Sequence, residues 1–160
     1  MGSSAHAHFN SNSKFQIGSS EFYVSKLKLN WNDHLEEAEK YGMTVSSIRS
    51  EEENNLIYNF IQNESENYFW LGATRNLFHS NLEWVDGSIF DFQDIVFGDN
   101  GNDNCTTFQV DLGGWINSDC DSEYYAIYRK IEKVCVWILD WDLFRNCSLN
   151  HICIFHHSVL

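Results

Sequence analysis

The sequence predicts an α+β domain in which two helices precede an antiparallel sheet. Two segments in the first part of the chain, 32–42 and the run that begins at Ser50, have the apolar spacing of amphipathic helices. From Phe69 the pattern changes to short β-prone runs separated by polar turns. Helices followed by strands are typical of an α+β fold. The chain has 160 residues, 43% hydrophobic and 16% aromatic, which is enough apolar surface for one compact core.

The first helix is expected over 32–42, where Leu35 and Ala38 fall on one face. Asn32 or Asp33 can cap its start, because both side chains accept hydrogen bonds from free backbone N–H groups. The glycine that ends this run fits the left-handed conformation that closes many helices. A short amphipathic helix is therefore predicted here.

The segment 43–48 is predicted to be a brief strand, since it contains β-prone apolar residues and is closed by serines. The second helix is expected to begin at Ser50, because Ser50 and Glu53 have the spacing of a capping box. One side of this helix is apolar and is expected to face the core through Leu56, Ile57, Phe60 and Ile61.

Short strands are predicted at 69–73, 106–110 and 123–128, with a turn at 82–88. Large aromatic residues interleaved with apolar ones usually fill the interior of a small domain and do not bind ligands. Three side chains are therefore expected in the core: Trp70, Leu71 and Trp84.

The charge of the chain limits its partners. The net charge is −13 and only ten residues are Lys or Arg, whereas a nucleic-acid interface needs clustered basic residues. No run reaches the roughly 18 apolar residues of a membrane span, since Asp140 and Asp142 interrupt the most hydrophobic part of the tail. We therefore expect no nucleic-acid partner and no membrane span, whereas cation binding or simple solubility fits the acidic charge.

The segment 98–104, GDNGNDN, is too polar and too rich in glycine to be a strand. Carboxylate and amide oxygens are the ligands that Ca²⁺ prefers, so this segment suits a hard cation. A solvated cluster of turns has the same composition, and the composition does not decide between the two.

Several motifs stand in a fixed order along the chain. They are an entry segment at 15–24, Asn30-Trp31 before the first helix, FWLGA at 69–73, WVDGS at 84–88, Cys105, Trp115, Cys120 and the run 125–127. This ordered set resembles the C-type lectin-like domain over roughly residues 15–130. The opening resembles most closely the single-domain lectins of insects and related invertebrates. The resemblance implies two short helices flanking small antiparallel sheets, a long irregular loop region, and recognition of glycans on extracellular or microbial surfaces, with a role in innate immunity.

The resemblance also implies a disulfide between Cys105 and Cys120, which matches the inner disulfide of the family. Such a bond closes a loop of about 15 residues and contributes roughly 3 kcal/mol in the chain-entropy model. It implies an oxidising, extracellular compartment and hence secretion, although no signal segment is visible in this sequence.

The other disulfide of the family joins the first helix to the last strand, and Ala38 and Tyr128 stand at its two positions. Because both cysteines are missing together, no unpaired thiol is left beside the core. We expect the Tyr128 ring to pack toward Ala38, so that buried aromatic area replaces the covalent link.

Calcium-dependent members of the family use a Glu-Pro-Asn segment, an acidic residue two before the inner cysteine, and a Trp-Asn-Asp segment. The sequence matches this pattern in part, which implies a degenerate Ca²⁺ and ligand-binding set of Asp99, Asn100, Asp103 and Asn117. The chain has no proline, so the cis-Pro of the usual loop is absent. Ile116 stands where the family has an amide ligand. Fewer charged ligands should weaken Ca²⁺ affinity.

Two functions of different classes remain open. The first is a Ca²⁺-assisted lectin that binds a glycan or glycoprotein surface, and the second is a Ca²⁺-independent module that binds a protein partner. An enzyme is not expected, because no catalytic spacing links the histidines. The cysteines and histidines of the tail match no standard zinc site; these are Cys147, His151, Cys153, His156 and His157.

The predicted organisation is a leader or tag at 1–14, the domain at 15–130 and a tail at 131–160, for which we expect weak or absent order. The tail contains three cysteines, Cys135, Cys147 and Cys153, and one pair plus one free or intermolecular thiol follows from that number. Three glycosylation triplets begin at Asn63, Asn104 and Asn146, of which Asn63 is the best acceptor because the other two adjoin cysteine.

Overall fold

The computed structural model describes residues 14–76, 81–96 and 104–131, together with the backbone of two short strands in the tail. Most of the predicted leader and most of the tail therefore lie outside the described residues. The elements, in chain order, are β1 (Lys14–Ile17), β2 (Ser20–Val24), α1 (Trp31–Glu39), β3 (Met43–Val45), α2 (Glu51–Ile61), β4 (Tyr68–Arg75), β5 (Leu82–Trp84), β6 (Cys105–Gln109), a 3-10 helix (Val110–Leu112), β7 (Gly114–Ser118), β8 (Tyr125–Lys130), β9 (Val134–Val136) and β10 (Ile152–Ile154).

Eight strands form one sheet in the order β1-β2-β8-β4-β6-β7, with β3 beside β8 and β5 beside β4. The α+β class is confirmed, but the prediction of a wholly antiparallel sheet is wrong at one pair. Strands β4 and β8 run parallel, with Phe69 opposite Tyr125 and Trp70 opposite Ala126. The direction of β8 is set by its antiparallel pairing with β2, and this direction coincides with that of β4.

Helix α1 begins at Trp31, slightly earlier than predicted. Asn30 caps it by accepting a hydrogen bond from the Asp33 N–H at 2.9 Å, so the proposed caps Asn32 and Asp33 are wrong. The start is displaced because the buried Trp31 belongs to the helix, and its Nε1 donates to the Leu71 carbonyl at 2.8 Å. The glycine after the helix, Gly42, has the predicted positive φ of 67°.

Helix α2 begins after Ser50, whose hydroxyl accepts from the Glu53 N–H at 3.1 Å. Half of the capping box is thus formed, whereas the Glu53 carboxylate accepts from the Arg49 N–H instead of from Ser50. Ile57 is fully buried, as is Ile61, and Phe60 packs partly against the core. Leu56 is 41% exposed, and its predicted place in the core is wrong because Asn54 occupies the inner position of that turn.

The core consists of two clusters of buried side chains. One contains Trp84 and Trp115, and the other contains Trp70 and Tyr128. The predicted burial of Trp70, Leu71 and Trp84 is confirmed. The disulfide between Cys105 and Cys120 is also present, which confirms the inner bond that the resemblance implied.

Ala38 and Tyr128, which stand at the positions of the missing disulfide, are both buried in the second cluster. The Tyr128 hydroxyl lies 2.6 Å from Nδ1 of the buried His34, and His34 Nε2 lies 2.8 Å from the Tyr124 carbonyl. The Leu29 N–H also lies 3.3 Å from Nε2, but the shorter contact is with a carbonyl, which can only accept, so Nε2 carries the proton and Nδ1 accepts from Tyr128. The expected packing of Tyr128 toward α1 is therefore present, with a hydrogen bond added to it.

The tail contains β9 and β10, which pair antiparallel with Cys135 opposite Cys153 in register. The rest of 132–160 lies outside the described residues, including the histidines that were considered for a zinc site. The expectation of weak or absent order in this tail stays a prediction.

The buried His34 predicts a loss of stability in mild acid. Burial lowers the pKa of the imidazole below its usual 6.5, against the opposing effects of the Tyr124 carbonyl, Glu37 and Asp33. The unfolded chain therefore binds a proton at a higher pH than the folded chain, and stability is complete above about pH 6.5 and falls progressively below it. We expect the melting temperature to decrease as the pH falls from 7.5 to 5. In the variant His34→Gln this segment of the curve should be flatter, and an unchanged slope would contradict the prediction.

Candidate functional site

Asn117 is the predicted site residue that the structure describes, and it lies on β7. It stands directly opposite Thr106 of β6, on the same face as Trp115 two residues earlier. The Trp115 ring is completely buried, so this face continues the core toward the end of the strand. Asn117 is half-buried and lies two residues further along β7, at the edge of that core. We call the place formed by Asn117 and the opposing Thr106 the Asn117 border.

Two oxygen atoms at this place have no hydrogen-bond partner among the described residues. They are Oδ1 of Asn117 and Oγ1 of Thr106, and both are shielded from solvent. Most buried polar atoms in proteins are hydrogen-bonded, so such a pair is unusual. The two atoms belong to directly opposed residues on one face of the sheet.

The other predicted ligands, Asp99, Asn100 and Asp103, lie outside the described residues. The two described residues that flank this segment are nevertheless fixed next to β7. On one side the Val96 N–H donates to the Trp115 carbonyl at 2.9 Å. On the other side Asn104 directly precedes Cys105, which pairs with Ser118. The described residues on either side of 97–103 are therefore linked to residues that bracket Asn117 on β7.

Asn54 on α2 links Trp115 of β7 to Asp94. Its side-chain carbonyl accepts from Trp115 Nε1 at 2.9 Å, and its amide donates to the Asp94 carboxylate at 2.7 Å. The Trp115 N–H also donates to the Asp94 carbonyl at 2.7 Å. Sequence reasoning missed both Asn54 and Asp94. The available signal was a polar residue at the inner position of an amphipathic helix, in register with Ile57 and Ile61.

Gly114 is required for the same contact. A Cβ atom at this position would lie 2.4 Å from the Val96 Cγ1 and 2.9 Å from the Asp94 carbonyl oxygen. Only glycine lets the segment 94–96 lie this close to β7. Gly114 is thus explained by packing, and it positions residues 94–96, which precede the segment that holds the predicted ligands.

A groove lies beside the turn between β1 and β2 and the end of β8. This groove of about 540 Å³ is lined in part by Gln16, Glu21, Tyr41 and Lys130. Its carboxylate is already paired, because Glu21 bonds to Lys14 at 2.7 Å and to Lys130 at 3.0 Å. These two lysines hold the pKa of Glu21 at about 2. The groove therefore offers few free polar groups to a ligand.

The described residues show no group of three or more His, Cys, Asp or Glu side chains arranged to hold a metal ion. In the same described part of the chain, neither helix has the length and apolar character needed to cross a membrane.

The two-helix α+β scaffold, the inner disulfide and the polar border on β7 define a ligand-binding domain of the C-type lectin-like class. The family model described as lectin C-type domain matches residues 27–129, which is more than half of the chain. The chain belongs to this family. The relatives of this chain are non-enzymatic binding proteins.

Curated relatives are identical to this chain at somewhat more than a quarter of the aligned positions. A mouse CD209 antigen-like protein C is 26% identical over 120 residues, which cover 71% of this chain and 65% of the relative. A mouse killer cell lectin-like receptor, subfamily B member 1A, is 29% identical over 132 residues, which cover 82% of this chain and 52% of the relative. The chain thus spans about half to two thirds of the length of these relatives.

Solved structures confirm the fold. A mouse scavenger receptor C-type lectin carbohydrate-recognition domain superposes with a TM-score of 0.67 at 22% identity, covering 76% of this chain and 96% of that one. A Ca²⁺-independent C-type lectin, SPL-2 from Saxidomus purpuratus, superposes with a TM-score of 0.66 at 19% identity, covering 73% and 90%. At these identities the similarity shows the fold, and the lectin-like recognition module is shown by the family match.

Proposed function

We propose that this domain is a secreted glycan-binding module and that Ca²⁺ assists its binding weakly at the Asn117 border. The observation that carries the proposal is the shielded Asn117 Oδ1, which has no partner among the described residues, beside the equally unpartnered Thr106 Oγ1. A cation or a sugar hydroxyl would supply the missing bonding partner of both oxygen atoms. The inner disulfide supports an oxidising, extracellular compartment.

The donor chemistry fits a weak Ca²⁺ site. Asp99, Asn100, Asp103 and Asn117 would hold the ion, and they supply two carboxylates and two neutral amides. When bound, Ca²⁺ would supply positive charge and open coordination positions for the vicinal hydroxyls of a sugar. Ligand charge is one of the main determinants of Ca²⁺ affinity, so this set favours binding in the millimolar range over tight binding. The glycans of extracellular or microbial surfaces are the ligand class that this proposal implies.

The second candidate function is Ca²⁺-independent binding of a protein partner. It is favoured by apolar side chains near the same border, where Ile95 is 37% and Val96 is 41% exposed. Ile116, at a position where the family has an amide ligand, adds hydrocarbon to the same strand. The similarity to SPL-2, a lectin named as Ca²⁺-independent, is in keeping with loss of the ion from this scaffold. Both candidates use the face around β7 and differ in whether the ion is needed.

Substitution of Asn117 separates the two functions. For a dissociation constant of about 1 mM, Ca²⁺ at about 10 mM should stabilise the full chain by about 1.4 kcal/mol and raise its melting temperature by a few degrees. The variant Asn117→Asp adds a carboxylate, and an affinity increase of about tenfold would raise this stabilisation to about 2.7 kcal/mol. The variant Asn117→Leu, which has a similar volume and no oxygen, should lose the response. The measurement is a thermal melt against Ca²⁺ concentration.

Mg²⁺ at the same concentration and reversal by a chelator are the controls, since Mg²⁺ demands a smaller octahedral site. Retention on mannose or galactose resins, with and without chelator, tests sugar binding separately. If neither the wild-type chain nor Asn117→Asp responds to Ca²⁺ and no resin retains the protein, the glycan-binding proposal is overturned. The Ca²⁺-independent candidate would then account for this face.

A further inference from the structure

We propose that Asn63 is a site of N-linked glycosylation. The triplet Asn63-Glu64-Ser65 lies in the turn that directly follows α2, and all three residues are exposed. The Glu64 N–H donates to the Ile61 carbonyl at 2.9 Å, which fixes the turn at the end of the helix. The acceptor is therefore presented on a surface turn and not inside a helix or strand.

The chemistry requires an accessible Asn amide and an accessible Ser or Thr hydroxyl two residues later. No side-chain hydrogen bond of Asn63 or Ser65 occurs within the described residues, so neither group has to break a contact. In the transfer, Asn63 Nδ2 forms a bond to C1 of an oligosaccharide that is carried on a lipid pyrophosphate. The bond between C1 and the pyrophosphate oxygen breaks, the lipid pyrophosphate leaves, and the amide proton passes to a base of the transferase. The donor belongs to the secretory route, which this inference shares with the proposed function.

The triplet at Asn104 is less accessible. Its third residue, Thr106, is completely buried in β6, and its middle residue, Cys105, is bound in the disulfide. The backbone carbonyl of Asn104 accepts from the Arg75 N–H at 2.8 Å and from the Thr74 hydroxyl at 3.1 Å, so its backbone is fixed against β4. Asn104 itself is half-buried, whereas Asn63 is exposed. The triplet at 146–148 lies outside the described residues.

Asn63 and Asn117 are offset from each other along β4. Asn63 precedes Tyr68, the first residue of β4, which pairs with Gln109. Asn117 lies opposite Thr106, and Thr106 pairs with Leu71 in the middle of β4. Tyr68 and Leu71 are separated by about 10 Å at about 3.3 Å per residue. A glycan at Asn63 is therefore attached before β4 begins and not at the level of Asn117.

The test is to direct the full chain into the secretory route of a eukaryotic cell with a cleavable signal sequence and to analyse both medium and membrane-enclosed fraction by peptide mass spectrometry. We expect a glycan on the peptide that contains Asn63, and its removal by peptide N-glycosidase should convert Asn63 to Asp. The variant Ser65→Ala should lose this glycan although Asn63 is retained, and Asn63→Gln should lose it too. The matched controls Ser65→Thr and Glu64→Gln keep the triplet and should keep the glycan.

An unmodified Asn63 in chains that have entered the secretory route would overturn the inference, as would a glycan found on Asn104 or Asn146 alone. A glycan that persists in Ser65→Ala would also overturn it, because the modification would then not depend on the triplet. The readout is a mass and does not involve Ca²⁺ or sugar binding. Failure here is therefore distinguishable from failure of the proposed function.

Discussion

The substitution Arg129→Met is expected to lower the free energy of unfolding by about 3–5 kcal/mol, because it removes one partner of a buried ion pair and leaves the other uncompensated. Arg129 is only 3% exposed. Its guanidinium forms a salt bridge with Glu53, whose side chain is itself 14% exposed. Urea or guanidinium unfolding of the full chain measures the change.

The position of this arginine explains the size of the effect. It lies on β8 and joins three other parts of the fold, because it donates to the Ser47 hydroxyl at 3.0 Å, to the Ser20 hydroxyl at 3.2 Å and to Glu53 at the start of α2. The guanidinium also lies over the Phe22 ring at 4.8 Å from its centre. Burial alone would raise the pKa of the neighbouring Asp86, but bonds from Ser47, Ser88 and Arg49 together hold it below its usual value. The charged form of Asp86 thus belongs to the same network.

Lys130 is the matched control, since it is the next residue on the same strand and its ion pair is exposed. It bonds to Glu21 at 3.0 Å with 58% of its side chain exposed, so Lys130→Met should cost less than about 1 kcal/mol. Arg129→Lys keeps the charge, and its loss of stability should fall between those of Arg129→Met and Lys130→Met. It can be measured in place of Arg129→Met if that variant does not fold. The double variant Arg129→Met/Glu53→Leu should recover part of the loss, because it leaves no charge unpaired. Equal midpoints for Arg129→Met and Lys130→Met would contradict the prediction.

Most elements of the fold could be predicted because their signals are local. The Ser50 cap, the left-handed glycine at Gly42 and the run 69–73 each depend on a few neighbouring residues. The two helices and the strands around them follow from such signals. The inner disulfide, by contrast, was expected from the resemblance and not from any local rule.

The features that escaped sequence reasoning all join distant parts of the chain. The parallel pairing of β4 with β8 brings Trp70 beside Ala126, and no periodicity encodes it. Leu56 was expected inside because it is apolar, yet Asn54 is buried in its place because it has two partners, Trp115 and Asp94. Propensity and pattern describe one helix at a time, whereas burial of a polar side chain depends on what other elements offer it.

The candidate site could be predicted only in part for a related reason. A comparison of motifs selects Asn117 and the acidic residues before Cys105, but it says nothing about whether their oxygens are already satisfied. The structure adds that the Asn117 oxygen is shielded and without a partner among the described residues. Asp99, Asn100 and Asp103 lie outside those residues, so their role as ligands stays a proposal.

Loss of the Tyr128 ring is the second large expected effect. The substitution Tyr128→Ala should lower the free energy of unfolding by about 3–5 kcal/mol, because it leaves a cavity where a fully buried aromatic side chain packs in the cluster that contains Ala38. Removal of a native disulfide typically costs about 2–5 kcal/mol, which is of similar size. The comparison tests whether buried aromatic area replaces the covalent link between α1 and β8. Denaturant unfolding is the measurement.

The hydroxyl of Tyr128 can be tested separately from its ring. Tyr128→Phe keeps the ring and leaves His34 Nδ1 without its donor, so we expect a loss of about 1–3 kcal/mol. Tyr58→Phe is the matched control, since no hydrogen bond of its hydroxyl occurs among the described residues, and it should change stability by less than about 0.5 kcal/mol. In a double-mutant cycle, His34→Leu and Tyr128→Phe should couple, because the two groups are in direct contact.

A hydrogen-bonded aromatic link responds to different conditions from a disulfide. A reducing agent can break only the bond between Cys105 and Cys120 within the described part of the chain, and the contact between α1 and β8 should survive it. Mild acid should act on the contact instead, because the proton that His34 takes up occupies the nitrogen that accepts from Tyr128. The protection factors of the α1 amides, which are hydrogen-exchange rates corrected for the slower intrinsic exchange in acid, should therefore fall between pH 6.5 and 5 and change little on reduction. Lower protection factors in α1 on reduction, with none lost in acid, would show that Tyr128 does not hold this helix.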